Sequence, residues 1–491
     1  MIAVGFVTKI LGMANRVFIT RLLGEVGIGV YMLISPTVML LATLATVGLP
    51  VAISTLVSRE NMRQKKILST AFVISMTLSL IITVVLFFVA RPLAVYMLKD
   101  ERTFYPLLLV GPLLFCISFN AIVKSYFQGK QNMIPSAGAT LVEQIVRIVL
   151  SIALIQILLP IGITHAVVGL MVASIIGELA SALILAVVFI RYKNRLYPDV
   201  TLTPARLEMQ NFKSILAISL PTTGSRLVGT ITNFLEPIII ARTLFRIGFD
   251  PQVSTKLYGA VSGFAIPVLF MPSFISVSVT QAIIPAISRS YTKRMFGDIH
   301  QSLNTAFKIA FFTSGFYTLF VVLFPTEIMN FLYDSNTGAH FLPLMAPVFL
   351  LLYFQAPLIA TLQAIDEAHL AMRASIFASI LKITLMTVLL SIPSINIYGL
   401  VIAILINIVV LTVWYYQIVA KKIGYKMNKI KVVHSFLVLG IVYLTGVHLK
   451  SALPYFNSAL LNIASVAGIM FAVHSMLSLI TGLVPLRFRN K

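Results

Sequence analysis

From near its first residue to near its last, the chain is built of apolar runs of about 20 residues, each long enough to cross a hydrocarbon layer of roughly 30 Å as a helix. No soluble core absorbs that much apolar surface: 59% of the 491 residues are hydrophobic, 11% are charged and the mean hydropathy is +0.99. The chain is therefore expected to be an all-α integral membrane protein. Its runs are continuous rather than alternating, which excludes a β-barrel. The single cysteine, Cys116, lies within an apolar run and forbids an intramolecular disulfide or a cysteine metal cluster; the seven histidines are scattered, with no HExxH-like pair. No metal or cofactor is expected.

The pattern reads as about 14 transmembrane helices near 2–22, 28–57, 67–90, 104–127, 134–158, 165–190, 213–241, 257–287, 303–324, 341–364, 371–391, 396–419, 432–449 and 457–484. On a soluble chain the net charge of +22 would point to nucleic acid. Here the positive-inside rule explains it, and no nucleic-acid partner is expected. Lys and Arg crowd into alternate connections (58–66, 191–213, 288–294, 421–431 and the tail 487–491), whereas 163–165, 326–340 and 393–396 have none. Both termini are accordingly expected in the cytoplasm. The opening segment does not read as a signal peptide: its charges are interspersed through the apolar stretch, and no A-x-A-like site follows.

The chain also resembles itself. PLLFCISFNAIVKSYFQGKQNM (112–133) aligns without gaps on PVFLLLYFQAPLIATLQAIDEA (347–368), so that Asn120 meets Gln355 and Gln128 meets Gln363; carried onward, Arg147 meets Lys382. Y-x-x-x-S recurs at 31–35 and 258–262, followed in each case by a Ser-Arg pair, Ser58-Arg59 and Ser288-Arg289. Two similarities in the same order argue that helices 1–6 and 7–12 are duplicated halves. Six is even, so both halves enter the membrane from one side, giving two six-helix lobes related by a pseudo-two-fold axis along the membrane normal, plus two extra C-terminal helices. That is a transporter architecture, with a site between lobes near the midplane. The expected organisation is an N-lobe at 1–190, a cytoplasmic linker at 191–212, a C-lobe at 213–420, and a basic linker with helices 13 and 14 at 421–491.

About six basic residues remain at membrane depth: Lys9, Arg16, Arg147, Arg226, Lys308 and Lys382. Such a residue costs about 2.5–3.5 kcal/mol on insertion scales and is expected to face a cavity or a partner. On helix 1, Gly5, Lys9, Gly12, Met13, Arg16 and Thr20 share one stripe, opposite Val7, Leu11, Ala14, Phe18 and Leu22. Arg21 points elsewhere and snorkels. On helix 5, Glu143 and Arg147 stand at i, i+4 with Thr140 and Ser151. A self-neutralising pair and a cargo-binding pair are both compatible with that spacing. Pro221 and Gly224 are expected to break helix 7 before Arg226, whose face includes Thr230 and Asn233; helix 8, with Pro267 and Pro272, is expected to be interrupted too. Glu236, and Asn407 on helix 12, are candidates for an ion-coupling site. Trp414, Tyr415 and Tyr416 read as interfacial anchors.

Cations around a midplane cavity suit an anionic cargo, because Arg and Lys bind phosphate and pyrophosphate. No GxxxxGK[ST] loop occurs, so the chain is not expected to be an enzyme that hydrolyses ATP, and transport would be secondary.

The stretches VTKILGMANRVFITRLLGEVGIGVYML (7–33), GLPVAISTLVSRE (48–60), SYFQGKQNMIPSA (125–137), LVEQIVRI (141–148) and SLPTTGSRLVG (219–229) resemble the SpoVB branch of the polysaccharide-exporter family, within the multidrug/oligosaccharidyl-lipid/polysaccharide (MOP) superfamily and related to MurJ-type lipid II flippases. The resemblance implies 14 helices in two lobes. It also implies a bacterial cell-membrane exporter of an undecaprenyl-pyrophosphate-linked sugar, lipid II leading, for peptidoglycan or the spore cortex. Coupling would be to Na+ or H+, and the partners would be membrane lipids, the lipid-linked oligosaccharide and cell-wall synthases. The K/R-x-L-G pattern of MurJ-type flippases carries onto Lys9, with Asn15 and Arg16 further along the helix. The substrate-binding set is then Lys9, Asn15, Arg16, Glu143, Gln144, Arg147 and Arg226. The arginines that many MurJ proteins carry in helices 2 and 8 have no match in 39–48 or 258–267. A multidrug/cation antiporter of the same superfamily and a non-transporting scaffold in cortex assembly stand as the alternative readings.

Overall fold

The computed structural model describes residues 2–58, 64–196, 209–452 and 458–484; the inner part of the expected linker (197–208) and the tail 485–491 lie outside them. Every regular element among the described residues is helical. Among the described residues, thirteen runs are long and apolar enough to cross a membrane. The first, Val7–Ser58, has 52 residues and would extend about 78 Å if straight, more than twice the hydrocarbon layer. It divides into two crossings at Gly24, whose φ of 64° and ψ of −169° suit a residue without a Cβ. That division accounts for the fourteen crossings expected from sequence.

The chain separates into two compact units, Met1–Gly263 with Thr387–Ile397, and Phe264–Met386 with Tyr398–Lys491. The boundary does not coincide with that of the repeat, since the first helix of the second half and the start of its second fall in unit 1. Unit 1 contains α1 (Ile2–Thr46), α2 (Leu49–Ser58), α3 (Gln64–Pro92), α4 (Phe104–Leu108), α5 (Val110–Gly129), α6 (Ile134–Leu158), α7 (Ile163–Leu196), α8 (Met209–Arg246) and α9 (Pro251–Gly259). A 3₁₀ turn, Glu101–Thr103, precedes α4, and a π-helical turn, Ala260–Ala265, follows α9. Unit 2 contains α10 (Ile266–Phe270), α11 (Ser273–Thr292), α12 (Phe296–Leu323), α13 (Pro325–Tyr333), α14 (Phe341–Ala364), most of α15 (Ala368–Leu390), α16 (Tyr398–Ile423), α17 (Lys429–Ser451) and α18 (Ala459–Ile480).

Both units are inside-out by the standard of a soluble protein. On α6, Ile145 and Val149 point outward while Glu143 and Ser151 are buried, and on α17 Phe436 and Leu444 are outward. A hydrocarbon solvent favours this arrangement, because polar groups find partners only inside. The core of unit 1 gathers Ile53 and Leu56 of α2, Leu68 of α3, Tyr126 and Phe127 of α5 and Phe189 of α7. That of unit 2 gathers Leu303 and Phe307 of α12, Leu358 and Leu362 of α14, and Tyr415 and Val419 of α16. Tyr415 is therefore a core residue, its hydroxyl 2.6 Å from that of Ser375, rather than an interfacial anchor.

The duplication is visible in the hydrogen bonds. Asn120 Nδ2 on α5 donates to the Glu178 carbonyl on α7 at 2.9 Å, and its aligned counterpart Gln355 Nε2 on α14 donates to the Ile408 carbonyl on α16 at 3.0 Å. The second crossing of each half is also broken: α1 gives way to α2 at Val47 and Gly48, both at positive φ, and α10 gives way to α11 at Met271 and Pro272. The interruption expected in helix 8 is thus present. The one expected in helix 7 is not, and this is a correction: α8 runs continuously through Pro221 and Gly224. A proline is tolerated inside a membrane helix where neighbouring groups re-satisfy the one carbonyl it frees, four residues earlier.

Candidate functional site

Two polar clusters form at membrane depth in unit 1. The first lies among α5, α6 and α7. Cys116, Asn120 and Lys124 recur every four residues on α5 and so share a face, and Glu143 and Arg147 do the same on α6. Gly177 lets α7 come close: a Cβ there would stand 3.1 Å from the Glu143 carbonyl oxygen and 3.2 Å from Arg147 Cβ. Arg147 Nη2 donates to Glu143 Oε1 at 2.5 Å and lies 3.5 Å from Glu178 Oε1. Lys124 Nζ donates to Glu143 Oε2 at 3.0 Å, and Asn120 Nδ2 to Glu178 Oε2 at 2.6 Å. Two cations and two carboxylates thereby form a neutral group. The spacing of Glu143 and Arg147 produces the self-neutralising pair, and Lys124 and Glu178 extend it.

Sequence reasoning had missed Lys124 and Glu178. Glu178 is an acid within the apolar run 163–190, which the rule for intramembrane ionisable residues flags; an inventory of cations alone passes over it. Gln144, next to this pair, faces α1, and a Cβ on Gly12 would stand 4.0 Å from its Oε1.

The second cluster surrounds the π-helical turn. Gly259 and Gly263, spaced as G-x-x-x-G, let this segment pack on α1: a Cβ at Gly259 would meet the Glu25 carbonyl oxygen at 2.8 Å, and one at Gly263 would meet Ile28 at the same distance. Lys256 pairs with Glu25 at 2.6 Å, and Thr255 Oγ1 donates to Asp100 Oδ2 at 2.8 Å. A turn with i→i+5 bonding is uncommon and frequent at functional sites. Here it offers its carbonyls to α1: Arg16 Nη2 donates to the Ser262 oxygen at 3.0 Å, with Met32 Sδ 2.9 Å away, and Thr20 Oγ1 donates to the Gly263 oxygen at 3.4 Å. Arg16 Nε and the neighbouring Asn15 Oδ1 are buried without hydrogen-bond partners. Nearby, Tyr258 OH and Glu236 Oε1 lie 3.4 Å apart in a buried setting.

The other expected site residues lie apart from these contacts. Lys9 and Arg226 are exposed, and Asn407 belongs to unit 2, where its amide donates to the Ala378 carbonyl at 2.8 Å and ties α16 to α15. Unit 2 also holds a cavity of about 330 Å³, walled by Phe307, Phe311, Phe354 and Phe436 and reached by Lys308 and Lys431. Among the described residues no group of three His, Cys, Asp or Glu is arranged to hold a metal ion.

Residues 1–291, more than half of the chain, match the family described as Polysaccharide biosynthesis protein, and residues 256–388 match the MatE family. Stage V sporulation protein B of Bacillus subtilis (strain 168) is 37% identical over 489 residues, covering 99% of this chain and 94% of that one. Among solved structures, that of the lipid II flippase MurJ in an inward closed conformation superposes with a TM-score of 0.73 at 16% identity, over 97% of this chain and 98% of that one. An inward-facing MATE multidrug resistance transporter superposes with a TM-score of 0.67 at 21% identity, over 85% and 94%. The chain therefore belongs to the polysaccharide biosynthesis protein family, in the branch of stage V sporulation protein B, and shares its fold with the MurJ and MATE structures.

Proposed function

We propose that the protein is a flippase that carries an undecaprenyl-pyrophosphate-linked sugar, with lipid II as the leading cargo, across the bacterial cell membrane by alternating access. In this reading both termini lie in the cytoplasm, as the distribution of Lys and Arg supports, and the cargo supplies peptidoglycan or spore cortex, which the resemblance to stage V sporulation protein B supports. The observation that carries this reading is Arg16. It sits at membrane depth with a carbonyl and a thioether as its hydrogen-bond acceptors and no carboxylate among its described contacts, so its charge is left for an anion. Asn15 beside it adds an unused buried acceptor, and Lys9 lies on the same stripe. Arg226 adds a further exposed cation in unit 1. The aromatic cavity of unit 2 suits the apolar chain of such a cargo. Glu236 with Tyr258, and Asn407, remain the candidates for coupling to Na+ or H+.

Reconstitution into liposomes with labelled lipid II, scored for appearance on the far leaflet, tests the proposal. The wild-type protein moves the label, and Arg16→Ala slows it by about 10- to 100-fold, the loss expected for a hydrogen bond to a charged group, while membrane abundance is unchanged. Absence of movement together with drug extrusion would assign the protein to the antiporters instead. Full activity of Arg16→Ala combined with Arg226→Ala would remove the cationic-site argument.

A further inference from the structure

The neutral group among α5, α6 and α7 does not share its bonds evenly. Glu143 takes the short contact to Arg147 and the bond from Lys124, whereas Glu178 is left with a neutral amide at 2.6 Å and the same guanidinium at 3.5 Å. Two carboxylates thus compete for one arginine at membrane depth, and the more weakly held of the two is the one that accepts a proton at least cost. The groups facing Glu178 are Glu143 and Arg147 from α6, and Lys124, Asn120 and the Cys116 thiol from α5. Segments α1 and α4 and the 3₁₀ turn also pack on α7 but add no charged group to that set among the described residues.

A second observation points the same way. Asn120 is 2% exposed, yet its Oδ1 has no hydrogen-bond partner. The amide donates to the carboxylate through Nδ2; rotated, it offers Oδ1 to a carboxylic acid O–H, so one side chain serves both protonation states. The fold itself does not need the charge, because in unit 2 the aligned Gln355 satisfies its amide with the Thr412 hydroxyl at 2.9 Å.

We propose that Glu178 is a proton-binding site of the transport cycle. Resting on the reading of the cargo as an anion, the step is a single protonation: the Glu178 carboxylate takes one proton from hydronium, releasing water, at the partly exposed edge formed by Lys124 and Arg147. The Lys124–Glu143–Arg147–Glu178 group then passes from neutral to a net charge of +1. That gain draws the phosphate groups of the cargo toward Arg147, and deprotonation releases them.

The test uses the full chain and two independent readouts. In nanodiscs, infrared difference spectroscopy on acidification shows a carboxylic-acid band in the wild type that is absent in Glu178→Gln and displaced in Glu178→Asp. In liposomes, the wild-type flipping rate changes with pH by up to about tenfold per unit, the limit for one proton. Glu178→Gln varies less than about twofold over the same range, and Glu178→Asp keeps the dependence. A Glu178→Gln protein with the wild-type band and the wild-type pH profile would overturn the proposal. A band lost in Glu178→Gln, in a protein that moves no lipid II, would leave the proton site standing and defeat the cargo reading instead. Should Glu178→Gln fail to fold, the position of the band in Glu178→Asp decides: a band unchanged from wild type assigns the proton to another group.

Discussion

Asn120 and Gln355 occupy aligned positions in the two halves of the chain and make the same bond, from a side-chain amide to a helix carbonyl two crossings on. They differ in what completes the contact. In unit 1 it is the carboxylate of Glu178; in unit 2 it is the hydroxyl of Thr412. The contrast extends to the described acids at mid-helix. The described acids at mid-helix, Glu143, Glu178 and Glu236, belong to unit 1, while those of unit 2, Asp298, Glu327, Asp334, Asp366 and Glu367, lie at helix ends or in connections. Duplication therefore retained the packing anchor, and the carboxylate that completes it at Glu178 is an addition that the aligned position of the other half lacks. Since that addition costs stability, its place marks chemistry rather than architecture.

The comparison is broken most severely at Arg147. Arg147→Leu leaves Glu178 without a cation and Glu143 with Lys124 alone at membrane depth, and is expected to cost about 3–5 kcal/mol, the range for removing one partner of a buried pair. Denaturation in detergent measures it. Neutralising the carboxylates as well, with Glu143→Gln and Glu178→Gln, should return at least half of the loss. If the triple variant is no more stable than Arg147→Leu alone, the guanidinium serves packing and the contrast between the halves loses its electrostatic meaning.

A smaller effect separates the two amides. Asn120→Leu removes the short donor of an ionised Glu178 and should cost about 1.5–3 kcal/mol, whereas Gln355→Met removes bonds between neutral groups and should cost about 0.5–1.5 kcal/mol. The deficit of Asn120→Leu should also shrink as pH falls and Glu178 gains its proton, while that of Gln355→Met stays constant. Equal costs with equal pH dependence would show the two anchors to be energetically the same.

Much of this was legible in the sequence. Apolar length set the crossings, and the repeat aligned Asn120 with Gln355, which the structure shows making the same bond in both halves. The spacing of Glu143 and Arg147 allowed the pairing that the structure shows. What the sequence did not show was which distant segments meet. Lys124 and Glu178 join Arg147 because Gly177 lets α7 close on α6, an approach set by packing rather than by periodicity. Arg16 finds its acceptor in a π-helical turn 246 residues away, and nothing in A-V-S-G-F-A distinguishes that turn from an ordinary helix. The opposite error occurred at Pro221 and Gly224, where local propensity argued for a break that membrane helices tolerate without one.

The smallest effect lies at an edge of unit 2, where Glu327 of α13, outside the membrane-spanning segments, pairs with Lys450 at the very end of α17. Glu327 Oε1 and Lys450 Nζ are 3.0 Å apart, Thr326 Oγ1 donates to Glu327 Oε2 at 2.8 Å, and Lys450 also donates to the Leu323 carbonyl and lies over the Phe324 ring. Partial burial pushes the Glu327 carboxyl up, but its backbone N–H, the Thr326 hydroxyl and the Lys450 ammonium outweigh this and hold it below the usual carboxylate range. A carboxyl whose folded value lies below its unfolded one, about 4.3, contributes stability above that pH and loses it as pH falls through the folded value. Both side chains are part-exposed, so the pair is worth only about 0.2–1 kcal/mol. Lys450→Met should therefore melt slightly below the wild type at neutral pH, with a gap that narrows under acid. A gap independent of pH would mean that Lys450 acts through Leu323 and Phe324 alone. A narrowing gap sharpens the contrast with unit 1, because a carboxylate at a helix end is held in its charged state by water and a lysine, whereas Glu178, deep and loosely paired, is free to change its charge.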